Sequence, residues 1–332
     1  IGECLTSLVN QTFKDFEVIV ADDCSTDNSR SIVNQFAKQS NMWGGAINLG
    51  KLSRNSGSPG APRNFALGKA YGKYIYFLDA DDRLTETALE ELYNVAENFN
   101  ADVVHVEKYF VFKDNDTAIQ SFQTGEFVTE PTLDTFDIGE RVTGFTQKRY
   151  VWWGCNKLFR RQFLIDNRIK FPETRVFEDY AFVFQCLVAA KNYVRVPFLS
   201  YYYRIRDDSA SHKASTVHDK TLTIIKIVNI LDRFMNGKKF FRANPQYKYA
   251  VLDFFLQERL EGIGQFFIYG DYSPAEVFDF FRDKVFSVNP QDNVALTSYL
   301  FVTASVLKIF STQQEAEIDR LNHIISKLKN GG

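Results

Sequence analysis

Two apolar runs in the chain end on clustered acids, and they set the architecture. "FEVIVADD" (16–23) and "KYIYFLDADD" (73–82) hold β-branched and aromatic residues with little polar alternation, then stop on Asp22–Asp23 and on Asp79, Asp81 and Asp82. Such runs read as strands buried on both faces, the habit of sheets covered by helices on either side. Between and after them, "STDNSRSIVNQFAKQ" (25–39) carries a Ser/Thr/Asp start signal and helical apolar spacing. "TETALEELYNVAENF" (85–99) opens on Thr85 with Glu86 in its first turn. A weaker β stretch lies near 46–50, and "DVVHVEKYFVF" (102–112) reads as one or two further strands. This alternation predicts an open α/β sheet, mixed but mostly parallel. Ligands of such sheets bind beyond the carboxyl ends of the strands, where both acidic clusters fall.

Elsewhere, residues 2–10 read as a helix, 113–150 as polar and irregular, and 151–164 and 177–192 as helices. "VRVPFLSYYYRIRDDSASH" (194–212) reads as an extended aromatic stretch leading into a basic, Ser-rich loop. From about 214 the pattern is helical. Ile318, Leu321, Ile325 and Leu328 are spaced equally well for a short coiled-coil seam and for a packed terminal helix. The expected division is an α/β domain over 1–212 and a helical domain over 213–332.

Composition removes several functions. A net charge of −2 gives no electrostatic case for nucleic acid or an anionic membrane surface. Cys4, Cys24, Cys155 and Cys186 form no CxxC pair and read as reduced thiols of a cytosolic protein. The four histidines lack metal-ligand spacing, which argues against zinc. The longest apolar stretch, 298–310, is too short to span a bilayer and contains Lys308.

Five stretches carry candidate chemistry. Asp79 and Asp81, two apart at a strand exit, suit a hard divalent cation shared with a phosphate, with Asp82 adding a ligand or holding a water. The plainer reading is an acidic turn capping helix 85–99. An aspartyl-phosphate phosphatase is set aside because Arg83 stands where that class wants Thr or Val. Asp22 and Asp23 either cap the next helix or accept hydrogen bonds from a base N–H or a ribose hydroxyl. "GSPGAPRN" (57–64) offers Gly57 and Gly60 for tight backbone and Arg63 and Asn64 at a helix start, but neither GxGxxG nor GxxxxGK[ST] occurs. Glu178 and Asp179 open a helix whose N-terminus favours an ionised carboxylate, available as a base or simply complementing the dipole. Arg204, Arg206, Ser209, Ser211 and His212 either clamp a diphosphate or pair with Asp207–Asp208. Trp152 and Trp153 either stack on a sugar ring or pack internally.

In order, "VIVADDCSTDNS", "GSPGAPRNFAL…AYGKYIYFLDADD", "NKLFRRQFL", "FEDYAFVFQCL" and "YYYRIRDDSASH" resemble the family 2 glycosyltransferases over residues 1 to about 212. The resemblance implies a GT-A fold and inverting transfer of a sugar from a UDP-sugar to a hydroxyl of a glycan, lipid-linked or protein acceptor, with Mn2+ or Mg2+. It implies donor binding by Asp22, Asp23, Arg63, Asn64, Asp79, Arg206 and His212, and metal binding by Asp79, Asp81 and Asp82. Asp179 becomes the base, and Trp152, Trp153 and Glu178 the acceptor candidates. The chain departs from the family in lacking its first strand and in Cys24, Phe65 and Ala66. With no QxxRW motif and no transmembrane span, a soluble enzyme adding single sugars in capsular or cell-surface glycan synthesis is expected. It would be cytoplasmic, or peripheral at the inner face of the membrane, with the helical region free to dock an acceptor, a partner or a second copy. The alternative is an inactive module of the same fold used for binding.

Overall fold

The computed structural model describes residues 1–39, 46–113, 119–122, 127–205, 217–255 and 312–323. The chain divides into two compact units, Ile1–Ala214 and Ser215–Gly332. The first opens with α1 (Gly2–Val9), β1 (Glu17–Asp22), α2 (Ser29–Lys38), β2 (Ala46–Lys51), α3 (Gly60–Leu67) and β3 (Tyr74–Tyr76). It continues with β4 (Arg83–Leu84), α4 (Ala88–Asn98), β5 (Val103–Lys113), β6 (Ile119–Phe122), β7 (Thr132–Leu133) and α5 (Ile138–Thr146). Then come β8 (Lys157–Arg160), α6 (Arg161–Asp166), α7 (Glu178–Ala189) and β9 (Tyr193–Ile205).

β1 and β2 pair in parallel, Glu17 opposite Ala46 through Asp22 opposite Lys51. The larger sheet runs β3-β8-β5-β9-β4, with β6 on β5 and β7 on β9. It is mixed, as expected, but only β5 and β9 pair in parallel there; its other ladders are antiparallel. Apolar runs report burial on two faces and not direction, which is why the parallel share looks larger in the sequence.

Strand alternation sends one set of side chains to each face. Val104 and Val106 of β5 and Leu158 of β8 pack with Leu92, Val95 and Ala96 of α4. On the other face Phe159 and Phe77 meet Phe182 of α7 edge-on, and Phe171 stacks flat on Phe182 at 3.7 Å.

Two segments correct the sequence reading. The helix expected over 151–164 is a loop, then strand β8, then the short α6. Leu158 and Phe159 serve opposite faces, a period-two demand that the apolar spacing concealed, and Asn156 sits at φ 63°, where a helix cannot continue. The irregular stretch 113–150 contains α5, capped by Asp137, whose Oδ1 accepts from the Glu140 amide at 2.8 Å. Its signal, Asp followed three residues later by Glu, is present as "DIGE".

β1 and β3 are end strands of their sheets. A cavity of about 670 Å³ has walls from both, together with α1 and α3, including Leu5, Val18, Val20, Ala66, Ile75 and Phe77. The lining is mostly apolar, with Arg63, Lys73 and Asp79 among its charged members.

In the second unit, α8 (Val217–Asn236) buries Ile224, Ile227, Val228, Leu231 and Met235 at helical spacing and is followed by α9 (Lys239–Ala243). Asp232 pairs with Lys248 at 3.0 Å, tying α8 to the helix at 245–255. The described part of the tail, 312–323, is helical with Ile318 and Leu321 exposed; Ile325 and Leu328 lie outside the described residues. No described helix is long and apolar enough to cross a membrane.

Cys24, at φ 65°, follows the first acidic pair in the left-handed region that favours glycine. We expect Cys24→Gly to stabilise the protein by about 1 kcal/mol in urea denaturation, since left-handed backbone costs an ordinary residue ~1–2 kcal/mol. A destabilised variant would show that the Cys24 thiol, 3.3 Å from the Leu52 carbonyl, contributes more than the strain costs.

Candidate active site

The site is built around Arg63. It lies in the first half of α3, and its side chain is 13% exposed. Nη1 donates to Glu178 Oε1 at 2.9 Å and to Asp179 Oδ1 at 3.0 Å, while Nη2 donates to Asp79 Oδ1 at 2.8 Å. One guanidinium therefore joins the acidic exit of β3 to the first turn of α7, two segments far apart in sequence.

The surroundings hold that guanidinium in place. Asn64, next on α3, pairs its amide with both backbone groups of Phe171, donating to the carbonyl at 2.8 Å and accepting from the amide at 3.0 Å. Arg63 then lies 5.1 Å from the Phe171 ring centroid, so the aromatic layer is its floor. Both ends of the Asn64 amide thus bond within the fold, and it positions Phe171. On the α7 side, Phe177 adopts φ 67° immediately before Glu178, an uncommon conformation for an aromatic residue, and turns the chain sharply into the helix.

Burial raises the pKa of Asp179, and the nearby Asp79 charge acts in the same direction. Arg63 opposes both, and the backbone N–H of Gly154 also favours the ionised carboxylate. Glu178 is likewise raised, first by burial and then by Asp179. The helix N-terminus is thus not the dominant influence expected from sequence. Burial pushes the pair up, towards the neutral range where a general base works best, and Arg63 limits the rise.

The other acids divide into two groups. Asp79 is 39% exposed and partly open, with Asp81 two residues beyond. Asp82 is turned inward: Tyr201 donates its hydroxyl to Oδ2, and the Arg204 amide reaches Oδ1 at 2.8 Å. Both its oxygens are engaged by β9, so Asp82 anchors the 79–84 turn. Among the described residues, no three His, Cys, Asp or Glu groups converge on a ready-made metal site. Two partly exposed carboxylates fit a cation that takes its remaining oxygens from a diphosphate.

Asp23 accepts from the Ser56 amide and from its hydroxyl, both at 2.8 Å, and so ties the 55–58 turn to β1. Asp22 is buried; its Oδ1 accepts from the Ser25 amide, and Arg30 lies 3.7 Å from Oδ2. These contacts shape the loop leading into α3 without reaching Arg63. Trp152 meets Tyr180 edge-on, and Trp153 packs between Tyr109 and Tyr203. Both are half-buried. Arg206 and His212 lie outside the described residues.

Gly154 is a site residue that the sequence reading passed over. A Cβ there would stand 2.7 Å from Asp179 Oδ1 and 2.8 Å from the Phe171 ring, so only glycine lets the 151–156 loop approach the carboxylate. A glycine inside an apolar, seemingly helical run was the available signal.

The description "Glycosyl transferase family 2" fits residues 1–167, half of the 332-residue chain. The chain belongs to glycosyltransferase family 2. It is 34% identical over 213 residues to the poly(ribitol-phosphate) beta-glucosyltransferase of Bacillus spizizenii, covering 63% of this chain and 30% of that protein. It is 30% identical over 215 residues to the poly(ribitol-phosphate) beta-N-acetylglucosaminyltransferase TarP of Staphylococcus aureus, covering 64% of this chain and 60% of TarP. The chain thus spans less than two thirds of the length of either relative. Residues 1–349 of S. aureus TarS, solved in complex with UDP-GlcNAc, superpose with a TM-score of 0.64 at 22% identity, covering 94% of this chain and 87% of that one. That likeness establishes the shared GT-A fold, with a helical region after the α/β part.

The titration of Asp82 gives a stability test. Burial, assisted by Asp79, raises it from 3.8 to about 8. Between those values the folded state holds a proton that the unfolded state lacks, so this group's stabilising contribution is lost as pH rises through the window. Asp82→Asn keeps an acceptor for the Arg204 amide and removes the titration. We expect its unfolding free energy to gain on wild type between about pH 5 and about pH 8; equal slopes would show that Asp82 is ionised throughout.

Proposed function

We propose that the chain is an inverting transferase that moves a hexose from a UDP-sugar to a hydroxyl of a glycan or polyol-phosphate polymer. The observation that carries this reading is the Arg63 bridge, which sets Asp79 and Asp179 on either side of one guanidinium. In this reading Asp79 serves a donor-bound cation and the neighbouring Asp179 serves as base. The relatives' printed activities on poly(ribitol phosphate) and the UDP-GlcNAc complex of TarS support the donor class and a polymeric acceptor.

Asp79 and Asp81 would hold Mn2+ or Mg2+, which would supply Lewis acidity to the diphosphate when bound. Asp179 takes the proton of the acceptor hydroxyl as its oxygen forms the new bond to the anomeric carbon. The bond from that carbon to the UDP oxygen breaks on the opposite face, which inverts the configuration. Glu178, raised by burial and by Asp179, shares the Arg63 guanidinium with the base. Arg63 neutralises charge before the donor arrives. Asp23, through the 55–58 turn, shapes the nucleoside side. Trp152 and Trp153, half-buried beside Asp179's loop, offer ring faces to a sugar or polyol. The reaction belongs on the cytoplasmic side, where nucleotide sugars are made, with cell-surface polymer as the product class.

The test is UDP release from UDP-GlcNAc and UDP-glucose by the full chain, with and without manganese and a polyol-phosphate acceptor. Manganese-dependent, acceptor-stimulated release supports the transferase; UDP binding without release supports a binding module instead. We expect Asp179→Asn to lower kcat by ~10²–10⁴, the ordinary range for losing a positioned base, with the Kd for UDP within about twofold of wild type. Unchanged kcat removes Asp179 from the base role.

A further inference from the structure

Lys157 opens β8 and is fully buried. A buried ammonium is costly unless bonded. This one donates to the carbonyls of Val151 and Trp153, each at 2.6 Å. The same loop is fastened at other points. The Val151 amide donates to His105 Nε2 at 3.3 Å, and Asn156, at φ 63°, sends its amide to the Val106 carbonyl of β5 at 3.1 Å. Between Trp153 and Asn156 comes Gly154, pressed against Asp179 with no room for a Cβ. The lysine thus holds the two carbonyls flanking the point where the loop meets the Asp179 carboxylate.

We propose that Lys157 is a positioning residue: by holding the Val151 and Trp153 carbonyls, it fixes the Gly154 backbone against Asp179 and so sets the orientation of the base. This rests on the transferase reading above. No side chain of the loop need touch Lys157 for the effect, because both bonds are to backbone. The proximity also has an electrostatic side, since the Lys157 charge favours ionisation of Asp179. Burial in turn lowers Lys157 to about 8, which is the cost of placing an ammonium there.

The experiment compares Lys157→Met, which keeps length and apolar bulk without donors, with Lys157→Gln, whose amide can still donate to a carbonyl. We expect Met to lower kcat by about 10- to 100-fold per UDP-binding site, in line with the cost of a small misplacement of a reacting group. UDP affinity should stay within about twofold, and Gln should recover part of the loss. A merely structural role would reduce the number of UDP-binding sites and leave kcat per site unchanged; that result overturns the proposal. If the Met variant does not fold, Gly154→Ala reads the other end of the same contact. It should lower kcat at unchanged UDP affinity, and an unaltered kcat there overturns the proposal equally. A wild-type chain that binds UDP but turns over no donor overturns the transferase reading and this one with it, whereas active wild type with unaffected variants overturns this one alone.

Discussion

A single guanidinium between three carboxylates is the interaction on which the rest of this structure depends. Asp79 comes from a distant part of the sequence to meet the neighbours Glu178 and Asp179, and the three would repel one another without a counter-charge. Arg63 makes the convergence affordable. A buried Arg in this setting also loses its hydration, so its geometry matters as much as its charge: the rigid planar fork holds its donors in fixed directions, which a flexible ammonium does not. The aromatic floor of Phe171, Phe182 and Phe77 fixes where the fork lies.

From this constraint follow the local oddities around it. Asn64 spends its amide on the Phe171 backbone because Phe171 must sit beneath Arg63. Phe177 adopts a left-handed conformation because α7 must begin where Glu178 and Asp179 can face α3. Gly154 is glycine because the loop beneath Trp153 approaches Asp179 more closely than any side chain permits. Asp82, by contrast, faces the other way and secures the same acidic turn to β9 through Tyr201 and Arg204. One turn thereby presents Asp79 outward and Asp82 inward, and the two neighbours serve opposite purposes.

Much of this was legible in the sequence. The apolar runs ending on acids gave β1 and β3, and the Ser/Thr and acidic starts gave α2, α4 and α7 to within a few residues. The motifs gave Arg63, Asp79 and Asp179 as members of one site. Three things were hidden, each for a physical reason. β8 was read as helix because Leu158 and Phe159 are apolar on both faces, so no alternation marks the strand. The inward bonds of Asn64 and Asp82 were hidden because polar residues beside a motif look alike whether they face a cleft or the fold's interior; only hydrogen-bond partners distinguish them. Lys157 attracted no notice because a single lysine at the start of an apolar run gives no sign that its ammonium is sealed beneath a loop.

The measurement that bears most directly on the account is a double-mutant cycle between Arg63→Met and Asp179→Asn, read in unfolding free energy by urea denaturation. Residues sharing a buried ion pair usually couple by about 0.5–3 kcal/mol, and a bridged pair with a hydrogen bond at 3.0 Å belongs in the upper part of that range. A coupling above about 1 kcal/mol is the predicted result. Strictly additive losses, within about 0.3 kcal/mol, would mean that the guanidinium and the carboxylate do not share a charge balance, and that the acids converge for some other reason.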